Sequence, residues 1–208
     1  MSDISPTLLR LFGRSRYVTH HRPPDEDEDE VSDETKWIRQ DRERWIVAAL
    51  GHVLTHDEKF RNKFWATMCS QDDKEVPDRI EVAVEPESSA DLCLTASGKS
   101  GTIVCVIEAK AGAELANHQN PENEAFLSDR NKPKGYGNCL ISRHGKTASQ
   151  LRYVVLGYRG EPLQLPKNPL DTQPPIQVFQ HPWSTVANIA PQSDLVRDLF
   201  GLKVTLCG

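Results

Sequence analysis

The sequence lacks any apolar run of about eighteen residues, the length that a membrane-spanning helix needs, and it has no signal-peptide pattern at its start. Of its 208 residues, 38% are hydrophobic and 26% are charged, which is typical of a soluble globular protein. The length suits one well-buried domain with additions and is short for two. We therefore expect a cytoplasmic protein with no membrane partner.

Several chemical motifs are also missing. The five cysteines form no CxxC pair, which argues against both a zinc site and a disulfide framework. The seven histidines have no metal-ligand spacing, and neither a GxSxG motif nor a Cys/His nucleophile pair stands out. The stretch "HGKT" at 144–147 resembles a phosphate-binding loop, but the Walker spacing requires glycine where Leu140 stands.

The net charge of -5 is distributed unevenly along the chain. Residues 25–34, "DEDEDEVSDE", contribute eight carboxylates and almost nothing apolar. We expect residues 1–34 to be an N-terminal tail and acidic linker, partly disordered, and residues 35–208 to be the folded domain. An alternative is that the acidic run mimics nucleic acid or masks a basic groove of the same molecule.

Between residues 129 and 168 the balance reverses, with eight basic residues against two acidic ones, a net charge of +6. This excess predicts a basic surface near that region. A solvated loop is the alternative interpretation.

Two helices precede the strands. The first is predicted from about 33 to 56, where apolar residues recur on one stripe: Trp45, Ile46, Ala49, Leu50, Val53 and Leu54. Glu43 lies at the edge of that stripe. The second is predicted over 58–69, and its large side chains at core spacing are Phe60, Phe64, Trp65 and Met68.

Three strands are predicted next, over 79–87, 90–96 and 102–110. The glycine-bearing turn "SGKSG" joins the second and third as a hairpin, so the chain forms an antiparallel meander. The third is apolar on both sides, as expected for a central strand.

The rest of the chain alternates between loop and regular structure. Residues 111–138 are expected to be a long insertion, and 147–158 a helix with Thr147 as its N-cap. A short strand at 175–180 and helices at 183–190 and 193–202 follow. This order predicts an α/β fold with a mixed sheet flanked by helices.

Polar residues interrupt the third strand at its end. Alternation places Glu108 and Lys110 on the same face, and the hairpin register brings Asp91 beside them. Two carboxylates can hold Mg²⁺ while a lysine orients the attacking water, which is the chemistry of phosphodiester hydrolysis. The alternative is an ordinary strand-end ion pair with Asp91 capping a turn.

An aspartate on one strand followed by Glu-x-Lys at the end of the next resembles the PD-(D/E)XK nuclease superfamily, whose proteins are restriction-endonuclease-like. The signature here is Asp91 and then "VIEAK", with Ala90 in place of the proline usually written before the aspartate. The resemblance implies a core of a helix, a three-stranded meander, a helix and a further strand (αβββαβ).

The resemblance also assigns roles to residues. It implies that Asp91 and Glu108 bind Mg²⁺ or Mn²⁺, with Glu43 of "ERWIVAALGHVL" as a further metal or water ligand, and that Lys110 positions the water. In "KTASQLRY", Gln150 would brace the site. Basic side chains would contact the nucleic-acid backbone: Lys132, Lys134, Arg143, Lys146 and Arg152. As alternatives, Glu43 is an ordinary carboxylate at the edge of the apolar stripe, and Gln150 is an exposed polar residue of its helix. Glu81, Glu85 and Glu87 compete as metal ligands.

The resemblance thus implies a metal-dependent nuclease acting on DNA, in restriction, repair, phage defence or a mobile element. Cutting both strands with one site per chain would favour a homodimer. Two alternatives stay open: a catalytically inactive, nuclease-like binding module, and a hydrolase of cyclic nucleotides or nucleoside triphosphates.

Overall fold

The structure, a computed structural model, describes residues 46–70, 77–84, 90–99, 101–110, 114–130, 134–158, 160–164 and 175–189. Several sequence predictions fall outside these ranges. They concern the tail and acidic run at 1–34, Glu43, Lys132 and the helix at 193–202.

Five strands form one mixed sheet in the order β1-β2-β3-β4-β5. The strands are β1 (Arg79–Val84), β2 (Leu92–Gly98), β3 (Gly101–Ala109), β4 (Gln150–Leu156) and β5 (Ile176–His181). β2 is antiparallel to β1 and β3, whereas β4 is parallel to β3, and β5 is parallel to β4. The predicted meander and the α/β class with a mixed sheet are confirmed.

The hairpin between β2 and β3 closes at Gly98 and Gly101, which pair with each other. Gly101 has a φ of 99°, in the left-handed region that glycine adopts without a steric penalty. A Cβ at this position would also lie 2.8 Å from Ser149 Oγ, where β4 is about to begin. The predicted hairpin turn is therefore confirmed, and its glycine also permits close approach of the next strand.

Helices cover both faces of the sheet. They are α1 (46–56), α2 (Glu58–Phe64), α3 (Tyr136–His144) and α4 (Trp183–Ile189). α2 begins after Asp57, whose side chain accepts a hydrogen bond from Phe60 N at 2.9 Å, and it continues into a π-helical turn, Trp65–Cys69. Within the described ranges, no helix has the length and apolar character needed to cross a membrane.

The sheet separates two hydrophobic clusters. One contains α1, α2 and α4 packed on one face, including the predicted core residues Phe60, Phe64, Trp65 and Met68. The other contains Val104, Val106, Tyr153 and Val155 from the opposite face, together with Tyr136 and Leu140 of α3. Because neighbouring residues of β3 alternate between faces, Glu108 belongs to the α3 side.

The predicted helix at 147–158 is wrong, because this segment contains β4. Leu151, Val154 and Val155 follow helical spacing, but a short apolar run fits a buried strand equally well. β4 is buried from Leu151 to Leu156, and its β-branched and aromatic side chains suit a central strand. The helix that connects β3 to β4 is instead α3, which begins inside the segment predicted as an insertion.

Candidate active site

The register of β2 and β3 brings Asp91 beside Glu108. Leu92 pairs with Ile107, and Asp91 directly precedes β2, so the next position across the pair is Glu108. Asp91 Oδ2 also accepts a hydrogen bond from Ala109 N at 2.7 Å. The Asp91 side chain thus occupies the place of a backbone acceptor at the end of the ladder, which fixes its carboxylate against the end of β3.

Glu108 and Lys110 form a buried ion pair at this strand end. Lys110 Nζ lies 2.7 Å from Glu108 Oε1, and the two residues are only 7% and 3% exposed. A single buried charge is strongly unfavourable, so each group depends on the other and on further hydrogen bonds. The ion pair shows that the two side chains lie on the same side of the strand end, as the alternation along the third strand predicts.

Two further side chains bond to the Glu108 carboxylate. Gln119 Nε2 donates to Glu108 Oε1 at 2.7 Å and to the Tyr136 hydroxyl at 3.2 Å. The Tyr136 hydroxyl is in turn hydrogen-bonded to Glu108. The glutamate is therefore held by Lys110, directly after β3, by the loop at 114–130 and by α3.

Two tyrosines close to Glu108 have raised pKa values. Burial, and then the charge of Glu108, raise the pKa of the Tyr136 hydroxyl above its usual value. The pKa of Tyr153 is also raised, first by burial and then by Glu108, with Tyr136 and Asp91 contributing. Both hydroxyls are therefore protonated, and Tyr153 donates to the Gln119 carbonyl at 2.9 Å.

His118 is half-exposed and lies at the edge of the site, next to Tyr136. Burial, and then the positive charge of Lys110, lower the pKa of His118, so its ring is mainly neutral near pH 7. The ring packs edge-on against Tyr136 with centroids 5.5 Å apart, and the His118 carbonyl accepts from Tyr136 N at 3.0 Å. The loop is thereby tied to the first turn of α3.

The backbone of Lys110 is fixed on both sides. Its N–H donates to the Leu156 carbonyl at 2.7 Å, and its carbonyl accepts from Trp183 Nε1, also at 2.7 Å. The end of β4 and the start of α4 therefore determine where β3 ends and where the lysine side chain leaves the sheet.

The side chains present suit Mg²⁺ better than a structural transition metal. Within the described ranges, no three His, Cys, Asp or Glu side chains form a group that could hold a metal ion. Mg²⁺ keeps several waters and is commonly bound by one or two carboxylates plus substrate phosphate. Asp91 and Glu108 supply two carboxylates of this kind, and the second oxygen of Glu108, Oε2, is also buried.

The structure does not bring Gln150 to this site. Gln150 pairs with Ile103 whereas Glu108 pairs with Val155, so the two lie five positions apart along the strands, about 16 Å. Gln150 Oε1 instead accepts from Arg152 Nη2 at 2.6 Å. Its placement near the site depended on the helix predicted at 147–158, which is absent.

Arg152 lies inside the protein on the opposite face of the sheet. It is 3% exposed, its guanidinium lies over the Trp65 ring, and it donates to the Cys69 carbonyl and to Gln177 Oε1. Arg152 is therefore too buried to contact nucleic acid, and its predicted role as a nucleic-acid contact is wrong. Of the other predicted contacts, Lys134, Arg143 and Lys146 are exposed around α3, on the side of the sheet that carries Glu108.

Sequence reasoning missed Gln119 and Tyr136. Both come from the segment predicted as an insertion, and a single glutamine in a loop has no periodic signal. Only the approach of residues 114–130 to the end of β3 makes Gln119 a neighbour of Glu108.

Comparisons with protein-family models, with curated protein sequences and with solved structures found no match to this chain.

Proposed function

We propose that the chain is a Mg²⁺-dependent nuclease of the PD-(D/E)XK type that hydrolyses phosphodiester bonds in DNA. The observation that carries the proposal is the group at the end of β3, in which the half-buried Asp91 lies beside the buried pair of Glu108 and Lys110. The element order supports it as well, because a helix, an antiparallel meander, α3 and then β4 follow the sequence of elements that the resemblance implies.

In this proposal Asp91 and Glu108 hold the cation, which supplies charge neutralisation and Lewis acidity at the scissile phosphate when bound. Lys110 Nζ orients the attacking water and offsets phosphate charge. The water oxygen forms a bond to phosphorus, and one ester oxygen leaves with the electrons of its bond. The proton that the water loses is balanced by the proton that the leaving oxygen takes up, giving a phosphate monoester and a hydroxyl end.

The substrate is assigned from charge. Lys134, Arg143 and Lys146 are exposed on the side of the sheet that carries the site, where they can contact backbone phosphates. Such contacts position a nucleic acid without reading its sequence. DNA in restriction, repair or phage defence is the proposed setting, in the cytoplasm, and a homodimer would allow both strands to be cut.

A binding module with this fold is the second candidate. The observation that favours it is the close pairing of Glu108 with Lys110 in a site with little exposure, which an ordinary ion pair would also produce. A module of this kind would bind nucleic acid or a protein partner and would cut nothing in any metal.

The direct test is cleavage of linear, circular and single-stranded DNA and of RNA by the purified chain, in Mg²⁺, Mn²⁺ or EDTA. We expect metal-dependent cutting of DNA that falls about 100-fold or more in Lys110→Ala, because the water loses its orienting group. Asp91→Asn should also stop cutting while retaining an acceptor for Ala109 N. Lys63→Ala, at an exposed lysine of α2, is the matched control and should cut normally.

Two results would contradict the nuclease proposal. If folded wild-type protein cuts none of the polymers in any metal, or if Lys110→Ala cuts as fast as wild type, the nuclease proposal is wrong and the binding module replaces it.

A further inference from the structure

We infer that Gln119 is a positioning residue for Glu108, and that its side-chain amide sets the direction in which Glu108 presents its carboxylate to a divalent cation. The inference rests on the proposed function and adds to it a residue that the motif does not contain.

The first step is the orientation of the amide. Gln119 Oε1 accepts from Ala116 N at 3.1 Å, so the nitrogen end of the amide faces Glu108 and Tyr136. An amide turned the other way would bring oxygen against a carboxylate and leave the Ala116 N–H facing a donor. The hydrogen-bond pattern thus determines which end of Gln119 meets the site.

The second step is the anchoring of the residue itself. Gln119 N donates to the Ala116 carbonyl at 2.8 Å, and the Gln119 carbonyl accepts from the Tyr153 hydroxyl at 2.9 Å. Tyr153 is fully buried in β4. Backbone and side chain are therefore both fixed, the backbone by the central sheet and the side chain by its own turn, as a positioning residue requires.

The third step is the sharing of one carboxylate oxygen. Lys110 Nζ and Gln119 Nε2 both approach Glu108 Oε1, each at 2.7 Å. Two donors on one oxygen fix the rotation of the carboxylate and direct its second oxygen, Oε2, away from them. Partners of this kind in the outer shell orient metal ligands and commonly change metal affinity by about 10- to 100-fold when they are removed.

The test measures Mn²⁺ affinity by the loss of the free-ion electron paramagnetic resonance signal, which needs no catalysis. We expect Gln119→Met to weaken Mn²⁺ binding about 10- to 100-fold, because methionine keeps the length and removes the donor. Tyr136→Phe, which removes only a hydroxyl, should weaken it less. Gln177→Met is the matched control: Gln177 is a half-buried glutamine on the opposite face that accepts from Arg152, and its loss should leave the affinity unchanged.

A second readout separates positioning from general loosening. Raising Mg²⁺ should restore DNA cleavage by Gln119→Met toward the wild-type rate, and should not restore it in Lys110→Ala. Circular dichroism establishes that each variant is folded under the assay conditions.

The outcomes distinguish this inference from the function on which it rests. If wild type binds Mn²⁺ and cuts DNA but Gln119→Met binds with unchanged affinity, only the role of Gln119 is wrong. Equal weakening in Gln177→Met also overturns that role. If wild type binds no Mn²⁺ and cuts nothing, the role and the nuclease proposal both fall.

Discussion

Arg152 carries its positive charge in the interior rather than toward a nucleic acid. Its guanidinium donates to the Cys69 carbonyl and to the side-chain oxygens of Gln150 and Gln177. The Trp65 ring, 5.6 Å from the guanidinium carbon, covers one side. This arrangement connects the π-helical turn to β4 and β5, so we interpret Arg152 as a structural residue.

Arg152→Met tests this interpretation. We expect the free energy of unfolding to fall by about 2 kcal/mol, because the Cys69 carbonyl loses its donor in a buried place. DNA affinity at fixed salt should not change. Urea unfolding and fluorescence anisotropy with labelled DNA measure the two quantities.

The control for that experiment is Lys146→Ala, at an exposed position. It should weaken DNA binding and leave stability unchanged, since a phosphate contact contributes charge and no packing. An Arg152→Met protein that is as stable as wild type but has lost DNA affinity would contradict the structural role.

At the scale of elements, the strand end that carries Lys110 depends on the turn after β4. Gly157 has a φ of 77°, and its N–H donates to the His181 carbonyl at 2.8 Å. A Cβ at this position would lie 2.1 Å from Trp183 Nε1 and 2.2 Å from the Lys110 carbonyl oxygen. These are the two atoms whose hydrogen bond fixes the backbone of Lys110.

Gly157→Ala should therefore damage both stability and the site. We expect a loss of about 3 kcal/mol in unfolding free energy from the left-handed backbone and the steric conflict. Metal-dependent cleavage should fall with it at temperatures where the variant is still folded. Thermal unfolding by circular dichroism and the DNA cleavage assay are the measurements.

Gly98→Ala is the control glycine, because an added Cβ there meets its nearest neighbours at an ordinary 3.5 Å. It should leave both stability and cleavage nearly unchanged. If Gly157→Ala behaves like Gly98→Ala, the close approach of Trp183 and Lys110 does not govern the strand end.

The strands of the meander were predictable because their signals are local. The period-two pattern and the glycine turn predict the hairpin, and the hairpin register predicts that Asp91 meets Glu108. The segment 147–158 was not predictable in the same way, since Leu151, Val154 and Val155 fit a helix and a buried strand alike. Gln119 could not be predicted from the sequence for another reason, because its role depends on contacts between distant parts of the chain.

At the scale of the whole molecule, the two faces of the sheet differ: one carries a large apolar cluster and the other carries the candidate site. One face carries α1, α2 and α4 over a cluster of large apolar side chains, and Arg152 is also buried there. The other face carries α3, the loop at 114–130 and the set of Asp91, Glu108 and Lys110. A variant on the first face should thus affect stability more than chemistry.

Several histidines and a buried thiol contribute to the pH dependence of stability. Burial is the main cause that lowers the pKa of each of the following: His52, His118, His144 and His181. Burial also raises the pKa of Cys105 well above 9.0. These groups are therefore favoured as neutral side chains in the folded state.

The lowered histidine pKa values and the raised thiol pKa together define a pH window of highest stability. Below the unfolded histidine pKa of 6.5, the unfolded chain binds more protons than the folded one, so stability falls as the pH falls. Above the unfolded thiol pKa of 9.0, the unfolded chain loses a proton that the folded chain keeps, so stability falls as the pH rises. Stability should be highest between these two values.

Urea unfolding at a series of pH values, from about 5 to about 10, measures the window. His181→Gln should make the acid side less steep, because one of the four neutral histidines no longer titrates. Cys105→Ser should make the alkaline side less steep, while Cys93, with a pKa raised to about 11, still contributes there. Stability that increases as the pH falls from 6.5 would contradict the sign assigned to the histidines. The profile should be measured in EDTA, because His118 lies at the edge of the candidate site and a bound cation would change its titration and the stability. A cleavage profile that departs from this stability profile would reflect the chemistry of the site rather than the stability of the fold.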